Sequence, residues 1–590
     1  MSLLQEPLRP TSSQSQDYLV SAAIDFGTAY SGWAFSTRHD HNKEPLKVTA
    51  NTWVSGNLMS LKTPTCVLFD QNKKFHSFGF DAEEEYSGLA LDNRHGDYFF
   101  FRRFKMKLFD KLHLKRKFML EDEMGRKMPA MDVFSNSIKY LKDHLTQKLL
   151  QQLPDTLLDS EIRWVLTVPA IWNDTSKQFM REAAVKAGIL DEHLLIALEP
   201  EAASLCCRHL PMKTIGAGSC NFETFAPGSK YVVFDAGGGT VDITVHEVQP
   251  SGSLKELYKA NGGNWGGTFI DKAFRNLLAD IVGNDVMDNF QATQMMDYID
   301  LFREFEGKKR NFKNEMTGKI TFKVPLALAE EFKQKKGKEI KDHIKNNPMY
   351  ENSIYMFGER LRIEAHVAKG LYADACNSVA EHLKTLFTED QVKDVPTILM
   401  VGGFSESPML QDVIKRTMPD KTIIIPADPG LAVLKGAVIF GHDPSVIQER
   451  RCRYTYGVRS SHRFNERIHP ESKKFVDDDG DILCSDIFDR HVQIGQRVEY
   501  GESQVTQSYV PTSKSAKAMV FQVYASDEAE PKFVTDPCCT HLGNLTFELG
   551  GSGTDRSVSV QMTFSGTELK VEAEEKSTGK KTNAKFDFLG

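Results

Sequence analysis

Alternation of apolar and polar residues along the chain is interrupted twice on one plan. In YVVFDAGGGTVDITV, residues 231–245, the run Val232 to Phe234 stops at Asp235, three glycines and Thr240 follow, and alternation resumes at Val241, Ile243 and Val245. That pattern predicts a β-hairpin with a tight glycine turn. AAIDFGTAYSG, residues 22–32, repeats it: an apolar strand ends in Asp25, Gly27, Thr28, Ala29 and Tyr30 form the turn, and a strand resumes at Gly32 and Trp33. The two aspartates lie 235 − 25 = 210 positions apart. Such a repeat predicts an internal duplication, two similar lobes each offering a turn to one cleft.

The remaining periodicities fill in these lobes. Short strands are expected over 52–70 and an amphipathic helix over 131–152. WVLTVPA (164–170), a helix over 178–189 with Phe179, Ala183, Ala187 and Ile189 on one side, and LLIAL (194–198) read as a βαβ unit of a parallel sheet. Glu199 then stands at a strand's carboxyl end, where open sheets place ligands. Residues 206–230 read as a long loop joining the lobes. Gly262, Gly263, Gly266 and Gly267 suggest a flexible turn before Asp271, a helix is expected over 299–312, and 330–347 reads as an exposed charged helix or insertion without a dense apolar stripe. ILMVGGF (398–404) reads as a buried strand entering Gly402 and Gly403. After residue 446 the pattern changes to short alternating strands at 454–458, 491–495, 520–526, 545–549, 558–564 and 569–574, which predicts an antiparallel β-sandwich. Residues 1–17, rich in Ser and Gln, predict a disordered tail.

Composition narrows the class. With 590 residues, 41% hydrophobic and 26% charged, the chain can form three or four globular units. Its net charge, 73 − 80 = −7, gives no support to a general nucleic-acid or membrane binder. The basic, aromatic stretch 99–117 is therefore not read as a nucleic-acid site. The N-terminus lacks a signal-peptide pattern and no 18-residue uncharged apolar run follows, so an intracellular, cytoplasmic protein without integral membrane association is expected. Nine cysteines without a metal-type repeat read as reduced thiols, and the adjacent pairs Cys206/Cys207 and Cys538/Cys539 as incidental.

Gly237, Gly238 and Gly239 allow backbone amides to converge on an anion. The flanking Asp235 and Asp242 would repel a bare phosphate, so a divalent metal between them makes sense of the pattern, and a nucleotide with magnesium is the natural ligand. The plain alternative for this run alone is a hairpin held by its turn geometry. Paired with the first hairpin, it resembles the phosphate hairpins of the actin, sugar-kinase and 70-kDa heat-shock ATPase superfamily. RWVLTVPAIWND (163–174), LEPEAAS (198–204), GGNWGGTFID (262–271), FEGKKRNF (305–312), ILMVGGFSESPML (398–410) and DPGLAVLKGAVIFG (428–441) are similar in order to the heat-shock branch. FKMK, GGNWGG and VGGFSESP look most like its divergent subfamily, heat shock 70 kDa protein 12.

That resemblance implies a duplicated actin-like (ribonuclease-H-like) two-lobed α/β ATPase domain over 18–446, with lobe I at about 18–215 plus 428–446 and lobe II at about 228–427, followed by a substrate-binding-like β-sandwich over 447–590. It implies ATP or ADP with Mg2+ as ligands. Asp25 and Asp235 would hold the metal mostly through water, and the amides of Gly27, Thr28, Ala29 and Gly237 to Gly239 would clasp phosphates. Lys105, with Lys107 as a shift of two, corresponds to the family lysine at the γ-phosphate. Glu199 and Asp242 would orient water, and Thr240 would supply a hydroxyl. Tyr30, Gly263, Glu306, Lys309, Arg310, Gly402, Gly403, Phe404 and Glu406 fall at nucleotide-binding positions. Glu306, Lys309 and Arg310 also fit a bland helix ion-pair ladder.

Departures from the family pattern are Phe404 and Glu406 where typical members carry Ser and Arg, and Ala29 in place of a second threonine. SVIQERRCRYTYG lacks the apolar-acidic linker, and no helical lid or acidic tail follows the last strand. The leading expectation is a slow, Mg-dependent ATPase of chaperone type, a heat-shock and stress-response protein. Its partners would be client polypeptides or specific proteins bound through the β-domain, with nucleotide-exchange or co-chaperone proteins and no nucleic acid. The alternative is a nucleotide-dependent adaptor or scaffold with negligible hydrolysis that binds folded partners. A small-molecule kinase is a third reading, opposed by the appended β-domain.

Overall fold

The computed structural model describes residues 18–56, 58–109, 114–153, 157–210, 212–215, 225–553, 556–565 and 568–584. The tail expected over 1–17 lies outside the described residues.

Two sheets share one connectivity. In the first lobe, Val20–Phe26 and Tyr30–Thr37 form the antiparallel hairpin, with Asp25 opposite Gly32. Val20–Phe26 pairs in parallel with Ile162–Val168, which pairs in parallel with Leu194–Leu198. In the second, Lys230–Ala236 and Val241–Val248 form the hairpin, with Asp235 opposite Asp242. Lys230–Ala236 pairs in parallel with Thr397–Val401, and that strand in parallel with Thr422–Pro426. On the far side of each hairpin a third strand adds antiparallel, Thr49–Ala50 in one and Leu254–Gly263 in the other. The duplication read from the hairpins is thus repeated in the strand order of the sheets.

The central strands are apolar throughout because both faces of each sheet are covered. All seven residues of Val20–Phe26 are buried, and so is Asp25 among them. Helix Pro429–His442 lies between the sheets: it joins Ala23 and Val165 of the first with Val233 and Leu399 of the second in one core. Both hairpins are therefore referenced to a single packed layer. The predicted βαβ helix runs Asp174–Lys186, starting earlier than expected because Asn173 caps it, its side chain accepting the Ser176 N–H at 2.9 Å.

Beyond residue 454, strands Lys474–Val476, Ile482–Val492, Thr455–Arg463, Ala518–Ser526 and Cys539–Glu548 form a five-stranded sheet. Ser503–Tyr509, Val558–Ser565, Glu568–Glu575 and Lys581–Ala584 form a four-stranded one. Every pairing within them is antiparallel. Val458, Phe521 and Phe547 of one sheet and Val560, Met562 and Val571 of the other share one core.

Three sequence expectations change. The loop read over 206–230 begins inside helix Glu199–Cys207 and contains Met212–Ile215, an edge strand on Thr422–Pro426; residues 216–224 lie outside the described residues. Four residues between Pro211 and Gly216 are too few to show a period. The charged stretch 330–347 is two helices, Leu326–Lys336 and Ile340–Lys345, separated at Gly337, which adopts a left-handed φ of 66°. They bury Leu328, Phe332, Ile340 and Ile344, a sparse stripe in keeping with the lack of a dense one. Ile447–Arg451, expected to open the C-terminal unit, instead pairs in parallel with Leu254–Gly263 in the second-lobe sheet, and Arg497–Glu499 pairs onto it in turn. Among the described residues no helix is long and apolar enough to cross a membrane.

Candidate functional site

The hairpin turns meet. A Cβ on Gly238 would stand 2.9 Å from the Ala29 Cβ, and one on Gly239 would stand 2.3 Å from the Met106 Sδ and 2.5 Å from the Thr28 Oγ1. Only glycine permits this approach. Behind the turn, the carbonyls of Gly237, Gly238 and Gly239 accept the N–H groups of Gly267 (3.1 Å), Thr268 (2.8 Å) and Gly266 (3.2 Å). Because each trans peptide points its N–H opposite to its C=O, the amides of Gly238, Gly239 and Thr240 all face away from residues 266–268, as an anion nest requires. The Gly237 N–H does not join them; it donates to the Thr240 carbonyl at 2.9 Å and closes the hairpin. The turn amides that face away from residues 266–268 are thus those of 238–240. In the first turn, Thr65 takes up the carbonyls of Gly27, from its hydroxyl at 2.7 Å, and of Ala29, from its N–H at 2.9 Å.

Four carboxylates converge beside these turns. Asp25 accepts from Lys62 Nζ at 2.6 Å and from the Thr167 hydroxyl at 2.8 Å. Burial alone would raise its pKa, but Lys62 and these hydrogen bonds hold the carboxyl below its usual range. Glu199, at the start of helix Glu199–Cys207, accepts from Lys105 Nζ at 2.6 Å. Burial pushes it up to about 7, opposed by Lys105 and reinforced by Asp25 and Asp242. Asp242 accepts the Ile171 N–H at 2.9 Å; burial raises it, while hydrogen bonds from Thr240 and Ile171 pull it back. Asp235 is also raised, by burial and then by Glu199, Asp242 and Asp25. Asp25, Glu199, Asp235 and Asp242 against Lys62 and Lys105 leave a formal 2 − 4 = −2 when all are ionised. This donor set fits a divalent cation. Among the described residues no group of three or more His, Cys, Asp or Glu side chains is placed to hold a metal ion directly.

Of the two candidate lysines, Lys105 reaches this cluster and is 1% exposed, with Nζ 5.3 Å from the Trp172 ring centre; Lys107 is exposed. The short 3-10 helix Phe104–Leu108 presents Lys105, and Arg103 enters it at a left-handed φ of 50°.

The second group of candidates divides. Glu306 pairs with Lys309 at 2.5 Å and with Arg310 at 2.9 Å. Burial would raise Glu306, but these cations hold it at about 2. Lys309 is further committed to Asp271 at 2.6 Å and to the Gly267 carbonyl at 3.2 Å, and Asp271 also takes Arg103 at 2.8 Å. The ion-pair ladder is therefore real, and it ties the two lobes together through Arg103. Arg310 extends over the Tyr30 ring at 5.8 Å, and Glu406 and Gly403 are exposed. Phe404 is instead buried, in contact with Gly267, and Gly263 backs onto the Trp265 ring. Gly402 has φ +83°, and a Cβ there would lie 2.3 Å from Asp235 Oδ1 and 2.4 Å from the Ala236 carbonyl oxygen. The backbone of this glycine thus packs against the Asp235 carboxylate. Sequence reasoning missed Lys62, Thr65, Arg103, Thr167 and Asp271. All are delivered by tertiary pairing, and only Asp271, beside the GGNWGG block, carried a local signal.

A family model described as Hsp70 protein matches residues 24–446. The chain belongs to the Hsp70 family. Membership brings an actin-like ATPase fold and supports a nucleotide-binding, chaperone-like role. Heat shock 70 kDa protein 12A of Mus musculus is 35% identical, over 98% of this chain and 92% of that protein. Heat shock 70 kDa protein 12B of Homo sapiens is 34% identical, over 99% and 94%. Similarity to Chaperone protein DnaK of Thermotoga neapolitana is lower, 24% over 50% of this chain and 43% of that protein. The subfamily resemblance read from FKMK, GGNWGG and VGGFSESP is thus matched along nearly the whole chain.

Proposed function

We propose that this chain binds ATP with Mg2+ in the cleft between its hairpin turns, hydrolyses it slowly, and uses the nucleotide state to control a C-terminal polypeptide-binding β-sandwich. The observation that carries the reading is the buried Lys105–Glu199 pair beside the facing Asp235 and Asp242, with the Glu199 carboxyl at about 7, where it can exchange a proton near neutral pH. Amides of Gly238, Gly239 and Thr240, with those of the Gly27 to Ala29 turn, bind phosphate oxygens. Lys105 spreads the charge that develops at the γ-phosphate. Glu199 and Asp242 orient the attacking water, and the Thr240 hydroxyl hydrogen-bonds beside it. Asp25 and Asp235 would hold magnesium, which when bound neutralises phosphate charge. Tyr30, Arg310, Gly403 and Glu406 form the rim toward the base.

Communication with the C-terminal unit has a structural candidate. Ile171, whose N–H binds Asp242, and Gly262, the register partner of Asp242, both line a cavity of ≈ 350 Å³ together with Arg453, Tyr454, Ile494 and Asp527. A change in the ionisation or position of Asp242 is thereby exposed to the start of the β-sandwich. Clients are extended or unfolded polypeptides in the cytoplasm, with nucleotide-exchange and co-chaperone proteins as further partners.

The adaptor reading is favoured by one feature. Strand Ile447–Arg451 is built into the second-lobe sheet and locked by Arg450 on Glu201 at 2.6 Å, a mounting suited to a fixed scaffold that docks folded partners. Single-turnover hydrolysis of bound ATP by the wild type, Asp235→Ala and Glu199→Ala, with and without an unfolded peptide, separates the two. Wild-type turnover above both variants and altered by peptide supports the chaperone ATPase. Wild-type turnover equal to the variants removes it and leaves the adaptor.

A further inference from the structure

Two adjacent cysteine pairs occur, Cys206–Cys207 and Cys538–Cys539, and the fold treats them differently. The first pair ends helix Glu199–Cys207 and is fully buried. Of the eight described cysteines, Cys538 and Cys539 alone are not buried. Their Sγ atoms are 3.9 Å apart. Consecutive side chains of a regular strand leave on opposite faces. Here Cys538 belongs to a turn and Cys539 is the first residue of Cys539–Glu548, the edge strand of the five-stranded sheet, so alternation has not yet begun and both sulfurs lie together. Asp536 fixes that turn: its carboxylate accepts the N–H groups of Lys532 (3.1 Å) and Phe533 (2.9 Å), and its carbonyl accepts the Cys539 N–H at 2.9 Å.

We propose that Cys538 and Cys539 form a dithiol modification site, oxidised as a pair by low-molecular-weight disulfides of the glutathione class. The Cys538 thiolate attacks one sulfur of the small disulfide, whose S–S bond breaks, and half of it leaves as a thiolate while Cys538 becomes a mixed disulfide. That thiolate, or water, takes the Cys539 proton. Cys539 then attacks the Cys538 Sγ and the second half leaves, to be protonated as a thiol. Two protein thiols have lost two protons and two electrons, and the small disulfide has become two thiols. Cys539 is the resolving partner because its thiol donates to the Phe533 carbonyl at 3.4 Å, and burial together with Cys538 pushes it up to about 12. Closure of the ring acts on the first rung of the edge strand, where Cys539 pairs with Ser526. Intracellular disulfides of this kind are typically transient and redox-sensing.

Peptide mapping by mass spectrometry after treatment of the folded, full-length protein with oxidised glutathione tests the site. The peptide carrying residues 538–539 is expected to lose two hydrogens without retaining an adduct and to recover under dithiothreitol, while the Cys206–Cys207 peptide stays reduced. Cys539→Ser is expected to keep a stable glutathione adduct on Cys538, and Cys538→Ser to take none. As a measurement needing no variant, phenylarsine oxide is expected to bridge the two sulfurs and block both from alkylation. The proposal is overturned if the wild type keeps both thiols alkylatable, holds a lasting adduct on either, or oxidises both cysteine pairs alike.

Discussion

Replacing Lys105 with alanine removes the cation on which the hydrolytic reading depends. At 2.6 Å, two unit charges in a medium of effective dielectric about 20 attract by about 6 kcal/mol, a gain offset by several kcal/mol of desolvation for each ion. The pair is therefore near balance while both partners are present. Alone, Glu199 would remain buried beside Asp25 and Asp242, both of which already raise it. It relieves this by binding a proton, so its pKa moves above about 7 and base function is lost at neutral pH. Loss of a general base lowers hydrolysis by about 10²–10⁴-fold. The assay is single-turnover hydrolysis of pre-bound ATP across pH. The wild-type rate should rise as pH passes through about 7, whereas Lys105→Ala should be slower at every pH, with its rise displaced to alkaline pH. ATP affinity should change far less than the rate. Turnover within about threefold of wild type with an unmoved pH profile would refute the reasoning, since no plausible local refolding returns a proton acceptor to that position.

Two further outcomes follow from the same geometry. Gly402→Ala forces a Cβ to within 2.3 Å of Asp235 Oδ1 at φ +83°, whereas a Cβ on Gly403 meets nothing within 4 Å; backbone strain of about 1–3 kcal/mol should lower thermal stability in the first and leave the second near wild type, and equal melting would contradict the packing. Glu256 is pushed up to about 8 by burial and by Glu201, so the folded state binds its proton more tightly than the unfolded state and stability falls as pH rises from about 4.5 to about 8. Denaturant midpoints at either end of that window should differ less in Glu256→Gln, and an unchanged difference would show that the group does not titrate as described.

What was legible in the sequence was the part written as local pattern. Both hairpins, the βαβ unit and most of the alternating C-terminal strands depend on short-range periodicity, and the structure has them where apolar residues and glycines mark them; the strand expected over 491–495 is instead the end of Ile482–Val492 followed by a turn. That the Gly237 N–H closes the hairpin on the Thr240 carbonyl was hidden because nothing in the run distinguishes its four successive amides. It took the pairing of the Gly237–Gly239 carbonyls with residues 266–268 to orient them. The glycine pair at 402–403 announced a close approach without saying to what. Lys62 gave no signal at all, because it is carried to Asp25 by the pairing of Ser31 with Thr63. Strand Ile447–Arg451 escaped notice because its charges look solvent-facing. Glu449 is buried against Arg497 at 2.8 Å and the half-buried Arg450 pairs with Glu201 at 2.6 Å, and paired charges can occupy a sheet that composition would deny them.

If the two glycine turns form one nucleotide site, equilibrium titration with ATP and Mg2+ reads it out. Wild type should bind one nucleotide per chain, magnesium should tighten it, and Gly239→Val, whose side chain would enter the space held by Met106 and Thr28, should lose that binding while the C-terminal β-sheets stay folded. Absence of saturable binding by the wild type, or equal affinity in Gly239→Val, would contradict the account.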